Sequence, residues 1–190
     1  MATNTPYNLD KALLKEINVR GRYLTMSCDI EYCLLNIILF CNPNPTDHDR
    51  AGQFKQMTMG GKIDAVICDM KEYKNADYLQ YKEYFDGLTE FRNIRNHAAH
   101  DKAEFINEQL DTIKFTFLDS EKKGEKPYGK YVNLPDLFIE QSLIRFGKIN
   151  YYLGFLWKKY ADEFAETQNH HPLAHPSTYV SGKDISGSSI

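Results

Sequence analysis

The stretch YKEYFDGLTEFRNIRNHAAH, residues 81–100, decides the fold. Its large apolar residues recur at steps of three and four, which is typical of a helix with one packed stripe. Arg95 continues that stripe, seven residues after Leu88 and four after Phe91. A charged guanidinium on a packing face needs a partner, because an unpaired buried charge is costly. The sequence therefore predicts a packed helix over residues 77–102 in whose last turns the charge of Arg95 has a partner.

The partner of Arg95 can be of three kinds. A carboxylate on another helix, such as Asp29 or Glu31, would make Arg95 a structural ion pair, and a backbone carbonyl would make it a packing contact. A bound phosphate would give it a function, because a guanidinium presents paired donors to phosphate oxygens. His100 also has a structural interpretation, because the helix dipole favours a positively charged histidine at the C-terminal end of a helix.

Arginine and histidine in this spacing resemble the signature of HEPN domains. In that family an arginine, usually followed by Asn, His or Asp, precedes a histidine by four to six residues. Here the pattern is Arg95-Asn96 followed by His100, and a second overlapping register joins Arg92-Asn93 to His97. The first register is closer to the family's usual form. The resemblance covers roughly residues 8–165 in architecture.

The resemblance implies a mainly α fold: an up-and-down bundle of four to five helices with a small β-hairpin before the last long helix. It also implies a metal-independent endoribonuclease, a toxin or antiviral defence effector as in toxin–antitoxin, abortive-infection and CRISPR systems. Arg95, Asn96 and His100 of two chains would form a composite catalytic site in a homodimer, and cleavage would leave 2′,3′-cyclic phosphate ends. No cofactor and no metal are implied.

Three neighbouring residues are candidate substrate-binding groups: Arg92, His97 and Lys102. A partner antitoxin or other defence-system protein is also expected. One subgroup of the family carries a tyrosine two residues after the histidine, where a nucleotidyltransferase modifies it. Lys102 occupies that position here, so control by that route is not expected.

The residue types suit RNA cleavage without a metal. The ribose 2′-hydroxyl attacks the adjacent phosphate, so the reaction needs proton transfer and stabilisation of the developing negative charge. An imidazole titrates near neutral pH and can accept and donate a proton. A regular helix, however, directs Arg95 and His100 about 140° apart. Either the helix ends near His100 or a second subunit completes the site.

Composition limits the kind of partner. The chain has 190 residues, a net charge of -3 and a pI near 6.1, so it is not a general polyanion binder and any RNA contact is local. The four cysteines form no CxxC pair and are expected to be reduced. No signal peptide opens the chain and no stretch has the roughly eighteen apolar residues of a membrane span. We expect a cytoplasmic protein without membrane contact.

Periodicity and turn residues divide the chain into one domain, 1–166, and a tail, 167–190, expected to be disordered. A helix capped by Asn8 runs to about residue 41, and Gly60-Gly61 marks a turn before a short amphipathic helix. Residues 112–118 alternate as a strand that pairs with 130–134, and a long helix follows from Pro135.

Three other signals are interpreted as structural. Gly60-Gly61-Lys62 lacks the glycine and hydroxyl that a phosphate loop requires. The lysines of the turn at 121–130 fit a solvated turn better than an RNA contact. The histidines of the tail, at 170, 171 and 175, have no cysteine or acidic cluster nearby to complete a metal site.

The leading hypothesis is therefore a HEPN-type ribonuclease. The alternative is a catalytically inactive HEPN-like helical dimer that binds RNA or a protein. A third possibility, an unrelated helical adaptor, predicts that the motif side chains point apart.

Overall fold

The computed structural model describes residues 6–42, 48–107, 109–119 and 128–170. In this part of the chain the protein is mainly helical, with one small antiparallel sheet. The helices are α1 (Pro6–Phe40), α2 (His48–Gln56), α3 (Met59–Tyr73), α4 (Asn75–Gln80), α5 (Lys82–His100) and α6 (Asp136–His170). The strands are β1 (Lys102–Phe105), β2 (Thr112–Asp119) and β3 (Tyr128–Pro135).

The two longest helices, α1 and α6, lie side by side and run in the same direction. The middle of α1 contacts the beginning of α6, where the Tyr23 hydroxyl is 2.7 Å from the Ser142 hydroxyl. Near their ends, the rings of Phe40 and Phe164 pack with centroids 5.8 Å apart. Both helices place apolar residues at helical spacing on the side that faces the core, as the sequence predicted.

Helices α4 and α5 run antiparallel to α6. Asp77 in α4 pairs with Lys159 late in α6, whereas Glu90 in α5 pairs with Arg145 near its beginning. Between α4 and α5 the helix is interrupted at Tyr81, whose ring packs against the aromatic rings of α6. The sequence predicted one continuous helix here, because the apolar spacing continues through Tyr81 and gives no sign of its contact with α6.

Helix α3 begins close to the end of α5. Thr58 is its N-cap, and Thr58 Oγ1 accepts a hydrogen bond of 3.2 Å from the Gly61 N–H. Gly60 and Gly61 therefore lie in the first turn of α3, and the predicted turn before the helix is wrong. An ion pair of 2.6 Å between Lys62 and Glu31 joins α3 to α1.

The sheet has the order β1-β2-β3 and is antiparallel throughout. In β2, Ile113 and Phe115 are buried while Thr112 and Lys114 are partly exposed, which confirms the alternation expected of a strand. The β2–β3 hairpin was predicted and β1 was not. The four residues of β1 directly follow α5 and are too few to show a pattern.

The buried apolar side chains form one cluster among the described residues. It joins the inner faces of α1, α3, α5 and α6 to β2. The largest fully buried members include Tyr23, Phe54, Phe85, Phe91, Phe115, Phe146 and Tyr160. This shared core fixes the end of α5 relative to α1, α3 and the sheet.

Both terminal helices extend beyond their expected limits. Helix α1 begins at Pro6 rather than after Asn8, since proline is well suited to the first turn of a helix. Helix α6 continues to His170, so residues 167–170 are helical rather than part of the tail. The rest of the predicted tail, with the histidines at 171 and 175, lies outside the described residues.

Helix α1 is long and apolar enough over Leu9–Phe40 to cross a membrane, judged by length and composition. A packed core helix of a soluble protein meets the same criterion, and α1 packs along α6 and α5. The sequence predicted that no stretch is long and apolar enough to span a membrane, whereas α1 meets this criterion of length and composition.

Candidate functional site

The last half of α5 forms one wall of an open cleft of about 890 Å³. The first residues of α3, one side of α1 and the end of β2 form the rest. The residues lining it are Glu31, Met57, Thr58, Met59, Gly60, Lys62, Arg92, Asn93, Arg95, Asn96, His97, His100, Asp101 and Phe117. Five of the six predicted site residues are thus brought together in one place.

Arg95 faces α1 without a carboxylate partner. Its Nε donates a hydrogen bond of 3.2 Å to Ser27 Oγ, and its Nη1 donates one of 3.4 Å to Asn96 Oδ1. Glu31, which the sequence offered as an ion-pair partner, binds Lys62 instead. In the described part of the chain Arg95 makes no ion pair, so its charge is available to an anion in the cleft.

Arg92 lies against the beginning of α3. A Cβ placed on Gly60 would be 3.0 Å from Arg92 Nη1, so the absence of a side chain at Gly60 leaves room for the guanidinium. Among the described residues, Arg92 donates only to the neighbouring Asn93 Oδ1, at 3.3 Å from Nη2. Arg92 and the first residues of α3 therefore line the same cleft.

His97 is held by a carboxylate. Its Nδ1 lies 2.5 Å from Asp101 Oδ2, and its ring centroid lies 4.8 Å from that of Phe117 on β2. The two contacts fix the imidazole on two sides. His97 was predicted as a substrate-binding residue, and it lines the cleft.

His100 is the last residue of α5 and is exposed. Among the described residues it has no hydrogen-bond partner. It lines the same cleft as Arg95 although a regular helix separates the two by about 140°. The cleft is wide enough, and open enough at the helix end, to include both side chains.

Lys102 lies outside this lining. It is the first residue of β1, where it is exposed and pairs in register with Thr116. Helix α5 ends at His100 rather than at residue 102, so Lys102 does not lie on the same helix as the cationic groups of the cleft. Its predicted role in substrate binding therefore has no support from its position.

Sequence reasoning missed a residue that fixes the end of α5. Arg20 on α1 donates from Nη1 to the Ala98 carbonyl and from Nη2 to the Asp101 carbonyl, the latter at 2.6 Å. A cation that binds the last carbonyls stabilises a helix C-terminus. No local pattern reveals this contact, because about eighty positions separate Arg20 from its acceptors in the chain.

The charge of the cleft is positive. Three basic side chains, Arg92, Arg95 and Lys62, accompany two carboxylates, Glu31 and Asp101. The difference is one positive charge before either histidine is protonated. The two carboxylates are engaged by Lys62 and His97, which leaves both arginines without ion pairs. Such an arrangement favours an anionic ligand.

Among the residues that the structure describes, no group of three His, Cys, Asp or Glu side chains is arranged to hold a metal ion. Comparison with family models, curated proteins and solved structures gives no match to this chain. The assignment of function therefore depends on the cleft itself and on the motif.

Proposed function

We propose that the protein is a metal-independent endoribonuclease of the HEPN type that acts as a toxin or antiviral defence effector. The observation that carries the proposal is the position of Arg95. Its guanidinium contacts Ser27 of α1 and has no carboxylate partner in the part of the chain that the structure describes, and the imidazole of His100 lines the same cleft. Two arginines and two imidazoles then surround a space that suits a phosphodiester.

The mechanism uses these groups directly. An imidazole removes the proton of the ribose 2′-hydroxyl, whose oxygen attacks the neighbouring phosphorus. Negative charge increases on the phosphate oxygens in the transition state, and the guanidinium of Arg95 stabilises it by charge-assisted hydrogen bonds. The amide of Asn96 accepts from Arg95 and so helps to orient it. The products are a 2′,3′-cyclic phosphate and a 5′-hydroxyl.

The proposal includes a homodimer. Helix α1 carries a second apolar stripe, on the side away from the core, which we name the outer stripe. Glu31 borders the stripe, whose members are uncharged and are spaced mostly three or four apart: Leu13, Leu14, Ile17, Gly21, Leu24, Cys28, Tyr32 and Leu39. Their exposed area is on the order of 700 Å², close to the roughly 800 Å² that each partner buries in a standard interface.

Two features of the outer stripe favour a second copy of this chain as its partner. A Cβ on Gly21 would contact nothing within 4 Å, so no packing within the chain requires this glycine. Glycine in a helix costs about 1 kcal/mol relative to alanine, but it permits two helices to approach closely. Glu31, which lines the cleft, lies seven residues after Leu24 of the stripe, so a second copy would border the cleft.

The native cysteines test this interface. A short thiol-specific crosslinker is expected to join two copies through Cys28 and to fail in Cys28→Ser. Cys68 is also exposed, but it lies on α3, so Cys68→Ser is the matched control that keeps the crosslink. Light scattering should show a dimer that Ile17→Asp dissociates. A monomer that binds lipid vesicles through α1 would contradict the dimer.

Cleavage of single-stranded RNA in EDTA tests the activity. A random-sequence RNA pool should be cut by the wild-type protein and spared by Arg95→Ala and His100→Ala. Arg145→Ala is the matched control, because Arg145 is an exposed arginine that pairs with Glu90 outside the cleft. Cleavage that persists in the Arg95 and His100 variants would contradict the proposal. RNA binding without cleavage would favour the alternative, an inactive RNA-binding dimer.

A further inference from the structure

The two histidines of the cleft have different surroundings. His97 Nδ1 lies 2.5 Å from the Asp101 carboxylate, and the two side chains are only 22% and 13% exposed. His100 is exposed and, in the described part of the chain, has no hydrogen-bond partner. Two imidazoles that lie three residues apart on one helix are therefore chemically distinct.

The contact between His97 and Asp101 is fixed by its neighbours. The main-chain N–H of Asp101 donates to the His97 carbonyl at 3.1 Å, and the Asp101 carbonyl accepts from Arg20 at 2.6 Å. Phe117 covers one side of the imidazole. Both the carboxylate and the ring are thus held in a single arrangement.

Stability of α5 alone does not explain a carboxylate at Asp101. Asp101 is the C-cap of α5, and the helix dipole disfavours negative charge at that end. The capping hydrogen bonds come from the main chain of Asp101 and from Arg20, not from the carboxylate. The side chain of Asp101 contacts His97 instead, which indicates a role in orienting the imidazole.

The orientation determines which nitrogen can react. A neutral imidazole that donates its Nδ1–H to a carboxylate carries its lone pair on Nε2. Nε2 of His97 can therefore accept a proton, whereas His100, which has no carboxylate partner among the described residues, lines the cleft where it can reach a leaving group.

On the basis of the proposed ribonuclease function, we propose that His97 is the general base, Asp101 its positioning residue and His100 the general acid. His97 Nε2 takes the proton of the 2′-hydroxyl as the 2′-oxygen bonds to phosphorus. The bond between phosphorus and the 5′-oxygen breaks, and His100 gives its proton to that oxygen. One proton is gained and one is lost, and exchange with water restores both histidines.

A sulfur-substituted RNA separates the two roles. When the 5′-bridging oxygen at a previously mapped cleavage position is replaced by sulfur, the thiolate leaves without protonation. His100→Ala should lose about 100-fold in rate on ordinary RNA and regain most of it on the sulfur substrate. His97→Ala should lose a similar factor on both substrates. The opposite pattern, or rescue of both variants or of neither, would overturn the assignment.

The role of Asp101 has its own test. Asp101→Asn should lower kcat by about 10- to 100-fold with little change in KM, as expected for a group that orients another. Nitrogen-15 NMR should show the His97 proton on Nδ1 in the wild-type protein and on Nε2 in Asp101→Asn. Asp64→Asn, at an exposed position on α3, is the matched control and should change neither. An unchanged tautomer, or full activity in Asp101→Asn, would overturn the role.

These experiments separate two kinds of failure. A wild-type protein that leaves unmodified RNA intact contradicts the ribonuclease function and the assignment built on it. A wild-type protein that cleaves RNA but whose His97→Ala variant is rescued by sulfur contradicts only the division of roles between the histidines.

Discussion

The two halves of α5 share one helical periodicity but differ in chemistry. In the first half, Phe85, Leu88 and Phe91 are buried in the core. In the second half the apolar residues of the core face stay buried, but Arg95, one heptad after Leu88, directs its guanidinium to Ser27 instead of an apolar neighbour. Within a few turns of one helix, the side next to the packing face becomes a wall of the cleft.

This difference shows how a packed helix can position cationic groups. The aromatic half fixes the axis and rotation of α5 against α6, because Phe91 packs against Phe146 with ring centroids 5.0 Å apart. Arg20 then holds the far end by its hydrogen bonds to the last carbonyls. The cleft side chains therefore depend on contacts that are not themselves part of the site.

Truncation of the packed half should have the largest effect. Phe91→Ala removes a fully buried ring and is expected to lower the free energy of unfolding by about 3–5 kcal/mol. Chemical denaturation measures the change. Leu79→Ala, at an exposed position in α4, is the control and should stay within about 0.5 kcal/mol of the wild type. Equal losses in both variants would contradict the core described here.

Truncation in the polar half should affect activity instead. Arg95→Ala is expected to reduce RNA cleavage by about 100-fold, as removal of one transition-state donor does, while the unfolding free energy changes by less than about 1 kcal/mol. Cleavage rates and denaturation measured on the same sample check both halves of this prediction. A large loss of stability with unchanged cleavage per folded molecule would show that Arg95 is a structural residue.

Gly87 tests how closely the packed half approaches α6. A Cβ at Gly87 would lie 2.7 Å from Ile149 Cδ1, so Gly87→Ala should cost about 1–3 kcal/mol although alanine favours helix. Gly147, on α6, has open space around its Cβ position. Gly147→Ala should therefore stabilise the protein by about 0.5–1 kcal/mol in the same thermal unfolding assay. The absence of a difference between the two variants would mean that the helices are further apart.

Ser27→Ala is expected to have a small effect on both stability and cleavage. Ser27→Ala removes the acceptor of Arg95 Nε and should cost about 1 kcal/mol in unfolding free energy. Cleavage should fall less than in Arg95→Ala, because the guanidinium remains. Thr25→Ala, at an exposed position on the same helix, serves as the control. A loss of cleavage as large as that in Arg95→Ala would assign the chemistry to Ser27 rather than to the guanidinium.

Much of the fold follows from local periodicity. The apolar spacing of α1, α5 and α6 and the alternation of β2 appear in the sequence because each element has one buried face. The break at Tyr81 and the strand β1 depend on contacts with distant residues, so neither has a local signal. Gly60-Gly61 suggested a turn because glycine is rare inside helices, but Thr58 caps a helix that includes both.

Five of the six residues predicted for the site line one cleft, but the contacts around them had no signal in the sequence. Arg95 attracted attention because it interrupts an apolar stripe, and His100 because it completes a motif. The contact of Ser27 with Arg95 joins positions far apart in the chain. Asp101 is close to His97 in sequence, but its role depends on the rotation of both side chains at the helix end.

The products of RNA cleavage test the central claim most directly. Wild-type protein in EDTA is incubated with a random-sequence RNA pool and with DNA of the same design. We expect RNA fragments that end in 2′,3′-cyclic phosphate and 5′-hydroxyl, and intact DNA, because the attacking group is the ribose 2′-hydroxyl. Cleavage of the DNA, or RNA fragments with a 5′-phosphate, would contradict the mechanism, and intact RNA with folded protein would contradict the function itself.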